Sequence, residues 1–148
     1  MINNILNKDE LKIISEIISE IEKKTSGEIC IVIKSKRSIF DFRKTARELA
    51  VKEFFKNKID KTIDRSGVLI YILVKEHKFE IIADIGIEQK VAPFYWNVIS
   101  DTLIERFKKS EYLKGISDFV NEVGLVLIKE FPIKENDTNE ISNEIIIR

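Results

Sequence analysis

The sequence predicts an α/β protein, a three-layer α/β/α sandwich in which a small mixed central sheet carries helices on both faces. Residues 29–33 (ICIVI) and 68–74 (VLIYILV) are continuously apolar and mostly β-branched, which is typical of strands buried on both faces. A helical pattern lies between them. A strand–helix–strand unit in one sheet predicts parallel strands joined by a right-handed crossover.

The first half of the chain predicts two helices around the first strand. Asn7 and Glu10 have the spacing of a capping box, and the apolar residues that follow recur at helical intervals. Residues 25–27 (TSG) then end this helix before the strand at 29–33. We expect the second helix to begin at Asp41, with an apolar side formed by Phe42, Ala46, Leu49, Ala50, Phe54 and Phe55.

The second half predicts a hairpin followed by two helices. Residues 75–78 (KEHK) are expected to turn the strand at 68–74 back into an antiparallel strand at 79–83. Pro93 suits the first turn of a helix that reaches about Lys108. A last helix is expected from about Tyr112 to Glu130, before Pro132. The predicted order is α-β-α-β-β-α-α.

The domain organisation follows from these boundaries. Residues 1–132 are expected to form a single domain, and residues 133–148 a polar C-terminal tail. The tail ends in EIIIR, so two alternatives stay open. It is either partly disordered, or its isoleucines add to an edge of the sheet.

Charge and hydropathy argue against a nucleic-acid partner and against a membrane span. The 25 basic and 25 acidic residues give a formal net charge of zero, without the basic excess typical of nucleic-acid binding. No apolar run approaches the roughly 20 residues of a membrane span. The N-terminus has no secretory signal, so we expect a cytoplasmic location. Cys30, the only cysteine, lies in an apolar run and is expected in the core.

Acidic residues stand at the ends of the predicted strands. Glu28 and Asp64 precede the two parallel strands, and Asp84 follows the antiparallel one, so all three should reach the same end of the sheet. Glu88 lies in the loop just beyond. Oxygen ligands on loops suit hard cations, so Asp84, Asp64, Glu28 and Glu88 are candidate ligands for Ca²⁺ or Mg²⁺.

The same pattern has a plainer explanation. Turns favour aspartate, and helix N-termini favour negative charge. Arg65 is expected to pair with an acid on the surface or, alternatively, to contact a phosphate. Trp96 is expected in packing at the core and rim rather than in a ligand platform.

Several segments, in order and spacing, resemble the TPM domain family, which includes thylakoid-lumen, photosystem-repair and receptor-accessory proteins. The similarity runs from Leu6 to Glu144 and is closest to a short, soluble bacterial branch. The segments are EKKTSGEICIVI (22–33), DRSGVLIYILV (64–74), FEIIADIGIEQKV (79–91), FYW (94–96), VGLVLIKEFP (123–132) and NEISN (139–143).

The resemblance implies an α/β/α sandwich and a module without one settled activity. Members have been associated with divalent-cation binding, mainly of calcium, and a plant lumenal branch with acid-phosphatase activity. The TSGE motif falls on residues 25–28 and the D-x-G-I motif, with Gly86, on residues 84–87. The R-N-G-V-L motif falls on residues 65–69, with Ser66 where asparagine is usual.

Three functions follow as hypotheses. The first is a divalent-cation-binding module with a regulatory or partner-binding role, in which the rim carboxylates hold Ca²⁺ or Mg²⁺. The second is a metal-assisted acid phosphatase that uses the same rim, so weak enzymatic activity stays open. The third is an ion-independent protein-interaction domain that contacts a partner through residues 94–96 or the tail.

Overall fold

A computed structural model describes residues 5–133 and 145–147. The elements, in chain order, are α1 (Lys8–Glu22), β1 (Glu28–Lys34), α2 (Ala46–Lys56), β2 (Gly67–Leu73), β3 (Lys78–Ala83), α3 (Ile85–Glu88), α4 (Pro93–Lys108), α5 (Tyr112–Glu130) and β4 (Ile146–Ile147). The chain folds into the predicted α/β/α sandwich, with a small mixed sheet between two layers of helices.

The strand directions are those predicted. The sheet has the order β3-β2-β1-β4, in which β1 and β2 are parallel and β3 returns antiparallel to β2. The last described residues, Ile146–Ile147, pair parallel with β1 beside Val32 and Ile33. This pairing corresponds to the alternative in which the isoleucines at the end of the tail add to an edge of the sheet. Residues 134–144 of the tail lie outside the described residues.

The two faces of the sheet bury two apolar clusters. Alternate residues of β1 and β2, such as Ile31 and Ile70, pack against α1, α4 and α5 in the larger cluster. The intervening residues, such as Val32 and Tyr71, pack against α2 in the smaller one. Cys30 is buried in the α2-side cluster, as expected of a core residue. Burial on both faces explains why these strands are continuously apolar.

The helix boundaries follow local capping signals, with one correction. Asn7 and Glu10 form the predicted capping box, and Pro93 occupies the first turn of α4. The predicted start of the second helix at Asp41 is wrong: residues Ile39–Asp41 form a short 3-10 helix, and α2 begins after Thr45, whose side chain accepts a hydrogen bond from the Glu48 N–H.

The start of α2 at Ala46 explains why Phe42 lies outside the core; Phe55, within α2, lies outside it as well. Phe42 is 68% exposed and Phe55 is 55% exposed, although both were expected on the buried side of the second helix. Phe42 precedes α2 and therefore does not share its helical periodicity. In the described residues, no helix combines the length and apolar character that crossing a membrane requires.

Candidate functional site: the acidic rim of the sheet

The sheet places three of the predicted acids at one end. Glu28 pairs with Gly67, and the Asp84 N–H donates to the Gly67 carbonyl at 2.9 Å. Asp64 lies in the turn that leads into β2, where the Ser26 hydroxyl donates to its carboxylate at 3.0 Å. We call this end, formed by residues 26–28, 64–67 and 84–86, the acidic rim.

Glu28, Gly67 and Asp84 occupy neighbouring positions on three adjacent strands. The alternation of side chains along each strand puts all three on the face that α2 covers. Adjacent strands lie about 4.8 Å apart, so two strand spacings separate the backbones of the two acids by about 10 Å. Both acids are almost completely buried, with exposed fractions of 3% for Glu28 and 5% for Asp84.

Ile59 fills the space between these two acids. A Cβ atom on Gly67 would lie 2.5 Å from both the Ile59 Cγ2 and its carbonyl oxygen, so that side chain covers the glycine in the middle of the row. Within residues 5–133 and 145–147, no three histidine, cysteine, aspartate or glutamate side chains are grouped closely enough to hold a metal ion. The sheet brings the acids to one rim, and its spacing keeps their carboxylates apart.

Arg65 holds Asp84 with both arms of its guanidinium. Nε donates to Oδ2 and Nη2 to Oδ1, each at 2.8 Å. This bidentate pair keeps the buried carboxylate compensated. The hydrogen bonds to Asp84, together with its negative charge, raise the pKa of Arg65 above its ordinary value. Arg65 pairs with an acid, as expected, but its partner Asp84 is buried rather than on the surface.

Asp84 also begins the short helix α3. Its Oδ1 accepts a hydrogen bond from the Ile85 N–H at 2.7 Å. This is the helix-entry role that the sequence pattern allowed for an aspartate at a turn. One carboxylate thus caps α3 and receives the Arg65 side chain.

Gly86 allows α3 to lie directly against the turn before β2. A Cβ atom at this position would lie 2.1 Å from the Asp64 carbonyl oxygen and 2.6 Å from that of Arg65. The Gly86 N–H donates to the Arg65 carbonyl at 3.0 Å. Only glycine fits here, because the neighbouring atoms belong to backbone. Arg65 itself has a left-handed φ of 53°, which turns the chain sharply at this contact.

Ser66 lies beneath the rim and is 0% exposed. Its N–H donates to the Thr62 hydroxyl at 2.8 Å, and its carbonyl accepts from the Glu28 N–H at 3.3 Å. Within the described residues, the Ser66 Oγ has no hydrogen-bond partner. Ser66 therefore joins the starts of β1 and β2 through its backbone.

Glu88 and Trp96 face a different space. They line a cavity of about 520 Å³ together with residues that include Arg47, Ala83 and Asn97. Trp96 packs against the larger apolar cluster, and its ring meets that of Tyr95 edge to face at 5.7 Å. Trp96 thus has the packing role that we expected, and Glu88 stands apart from the other three acids.

Three residues that the sequence did not single out complete the rim. Ser26 donates to Asp64, Thr62 accepts from Ser66, and Ile59 separates the buried acids. Ser26 lies within the TSGE segment, so the sequence motif could have identified it as a residue of the rim. Thr62 and Ile59 come from a polar segment without a periodic pattern, and their roles depend on tertiary packing.

Comparison with known proteins identifies the family. The family model of the TPM domain matches residues 2–126. The chain belongs to the TPM domain family.

Solved structures share this TPM fold. The chain is similar to the BA42 protein of the psychrophilic bacterium Bizionia argentinensis, with 31% identity over 97% of this chain and 95% of that one, and a TM-score of 0.85. The N-terminal domain of a Porphyromonas protein (P. gingivalis) has the same fold at 15% identity, covering 93% of this chain and 84% of that one, with a TM-score of 0.68. No curated protein is a significant match to this TPM domain.

Proposed function

We propose that this TPM domain binds a divalent cation, Ca²⁺ or Mg²⁺, at the acidic rim, with Asp84 as the central ligand. The supporting observation is the Arg65–Asp84 pair: a buried carboxylate at a loop junction is neutralised by a side chain that is itself 47% exposed. A guanidinium with access to solvent is able to swing away. A cation that replaces it leaves the buried carboxylate compensated.

The remaining ligands are oxygens of the same junction. Asp64 is half-buried, and its carboxylate is fixed by the Ser26 hydroxyl. The backbone carbonyl groups of residues 64 and 65 pack against Gly86, so we do not count them as ligands. Carboxylate oxygens, completed by water, are a set that hard cations accept. With two carboxylates rather than a full cage, we expect affinity in about the 10⁻⁴–10⁻³ M range.

The other predicted ligands have different roles in this proposal. Glu28 is separated from Asp84 by Ile59 and contributes negative potential rather than a direct bond. Glu88 lies on the cavity that Trp96 lines, so we propose no ligand bond for it. The proposed purpose of the site is regulatory: cation binding frees Arg65 and changes the surface offered to a partner.

A titration followed by backbone amide NMR tests this proposal. With either Ca²⁺ or Mg²⁺, we expect saturating shift changes confined to residues 26–28, 64–67 and 84–88. Asp84→Asn should abolish them, whereas Asp101→Asn, on the exposed side of α4, should leave them unchanged. Arg65→Gln removes the competing guanidinium, so it should tighten binding by about fivefold or more, the fold-change that corresponds to about 1 kcal/mol.

Two outcomes would contradict cation binding. One is the absence of localised shift changes at a cation concentration of about 10⁻² M, ten times the weakest dissociation constant expected above. The other is an Asp84→Asn protein that titrates like the wild type. If Arg65→Gln weakens binding, Arg65 supports the site instead of competing for it, and the displacement step is wrong.

The two alternative functions stay predictions. A phosphatase at this rim would need a bound metal that bridges the phosphate and a water or nucleophile in line with it. Turnover of a chromogenic phosphate ester that Asp84→Asn leaves unchanged would exclude the rim as its source. An ion-independent partner would instead bind equally well with and without a chelator.

A further inference from the structure

The opposite end of the sheet carries an exposed apolar loop. Ile39, Phe40 and Phe42 are 80%, 87% and 68% exposed, and they lie within four consecutive residues between β1 and α2. Large apolar side chains scattered singly on a surface are ordinary, whereas three on one short turn form a local apolar cluster, a feature that interaction sites share. We call residues 35–44 the aromatic loop.

Partly buried and exposed polar contacts hold the aromatic loop in this conformation. The Arg37 guanidinium makes a bidentate pair with Glu76, with its Nε 2.6 Å from one oxygen and its Nη2 2.8 Å from the other. Its Nη1 donates to the backbone carbonyls of Asp41 and Lys44. The Ser38 hydroxyl accepts from the Phe40 N–H at 3.3 Å. The loop is therefore fixed from beneath while its apolar tip stays in solvent.

Basic side chains surround the tip. Lys36 and Arg43 are exposed, and the Arg43 guanidinium lies 5.3 Å from the centre of the Phe42 ring. Lys44 and Lys52 approach the buried Asp41 carboxylate at 3.2 and 3.8 Å, so this acid is already compensated. Glu76 is likewise compensated, by Arg37. Residues 34–48 carry six basic side chains and two acidic ones, Asp41 and Glu48, so this end of the molecule has a basic excess, although the whole chain is neutral.

We propose that the aromatic loop is a docking element for an anionic lipid surface, with Phe40, Phe42 and Ile39 entering the headgroup region. Reversible membrane attachment generally needs an apolar insertion and a basic patch together, and this loop supplies both. A lipid surface fits better than a protein partner, because the apolar tip is a single narrow turn with three strongly exposed side chains, whereas protein interfaces bury a broad patch of about 800 Å² on each side.

Vesicle co-sedimentation tests the proposal on the full chain. The vesicles contain phosphatidylcholine alone or a mixture with phosphatidylglycerol, at about 0.15 M ionic strength. A chelator is present throughout, so that the result does not depend on the cation proposed for the acidic rim. We expect binding to the anionic vesicles and little binding to phosphatidylcholine alone.

Matched variants separate the apolar from the electrostatic contribution. Phe40→Ser with Phe42→Ser should weaken binding to anionic vesicles by about tenfold or more, whereas Ile63→Ser with Phe94→Ser should not, although these control side chains are 71% and 74% exposed. All four side chains are exposed, so the folded state should survive each change; far-ultraviolet circular dichroism verifies this.

Charge reversal has its own control. Lys36→Glu with Arg43→Glu should weaken binding by about thirtyfold or more. Lys23→Glu with Lys24→Glu changes the net charge equally at the far end of β1 and should have a much smaller effect. In a Phe40→Trp variant, the tryptophan fluorescence emission should shift to shorter wavelength on anionic vesicles. A Phe94→Trp variant should show no such shift.

Three results would overturn the proposal. The first is equal binding of the wild type to both kinds of vesicle. The second is an equal loss of binding in the loop variants and their controls. The third is an absence of vesicle binding together with self-association that Phe40→Ser abolishes, which would make the loop a contact between copies of this chain.

Discussion

Gly86→Ala is the substitution that tests the geometry of the acidic rim most directly. The added Cβ would lie 2.1 Å from the Asp64 carbonyl oxygen and 2.6 Å from that of Arg65, so the two turns must separate by roughly 1 Å. Overpacking of this kind costs about 1–3 kcal/mol, and loss of the hydrogen bond from the Gly86 N–H to Arg65 adds about 1 kcal/mol. Alanine in the short helix α3 recovers less than about 1 kcal/mol.

The expected net change is a loss of about 1–4 kcal/mol in the free energy of unfolding. Urea denaturation followed by circular dichroism measures it, and the melting temperature should fall by about 3 °C for each kcal/mol. Gly115→Ala is the control, because its new Cβ meets only side-chain atoms, at 3.0–3.5 Å, inside α5. Helix propensity and these contacts nearly cancel there, so we expect a change within about 1 kcal/mol. An unchanged urea midpoint for Gly86→Ala would refute the close approach of α3 to the turn before β2.

Three further predictions concern stability. Thr25→Val should lower the free energy of unfolding by about 1–3 kcal/mol, as measured by urea denaturation. The buried hydroxyl shares its single hydrogen between the Leu127 and Phe131 carbonyls and accepts from the Gly27 N–H. The Arg37 side chain lowers the pKa of Glu76 below its ordinary value of 4.5, so the ionised carboxylate stabilises the folded state above pH 4.5. This stabilisation is lost as the pH falls. In an acid titration, the urea midpoint should therefore fall less steeply for Glu76→Gln than for the wild type. Burial raises the pKa of Tyr71 from 10.0 to about 12, so the stabilisation from its neutral hydroxyl is present below pH 10 and is lost as the pH rises towards 12. Ultraviolet titration should show that Tyr71 ionises later than an ordinary tyrosine. Tyr71→Phe should reduce the loss of folding stability at alkaline pH.

The strand directions were predictable because burial on two faces leaves a strong signal. Residues 29–33 and 68–74 have no polar positions at which a solvent-facing side could exist, so the helices had to lie on both sides. The parallel pair and the returning strand then fixed which ends meet. Placing Glu28 and Asp84 at one end needed nothing beyond this topology.

The start of α2 was not predicted correctly because two capping signals compete in one short segment. Asp41 precedes an apolar residue and has the appearance of an N-cap. Thr45 with Glu48 three residues later is the better signal, and its hydrogen bond is the one that forms. Between the two candidate starts, Arg37 contacts the carbonyls of residues 41 and 44 and so holds the intervening turn.

The pairing inside the rim could not be read from the sequence for a similar reason. Topology specifies which residues share an end, but the distance between their side chains depends on what fills the space between strands. Ile59 comes from an irregular segment and covers Gly67, and Arg65 reaches Asp84 through a left-handed turn. Both contacts are tertiary, and neither leaves a periodic pattern.

A formal net charge of zero for the whole chain is compatible with a local basic excess at one end of the sheet. The starts of β1 and β2 and the end of β3 carry acids, whereas the loop that follows β1 carries Lys36, Arg37 and Arg43. Because β1 and β2 are parallel, both begin at the acidic rim. The aromatic loop follows the other end of β1, so the two features lie a full strand length apart. At about 3.3 Å for each residue, the seven residues of β1 span about 20 Å, which exceeds the Debye length of about 8 Å at physiological ionic strength. Each end therefore presents its own charge to an approaching ion or surface, so the absence of a net basic excess does not argue against an anionic partner at the aromatic loop.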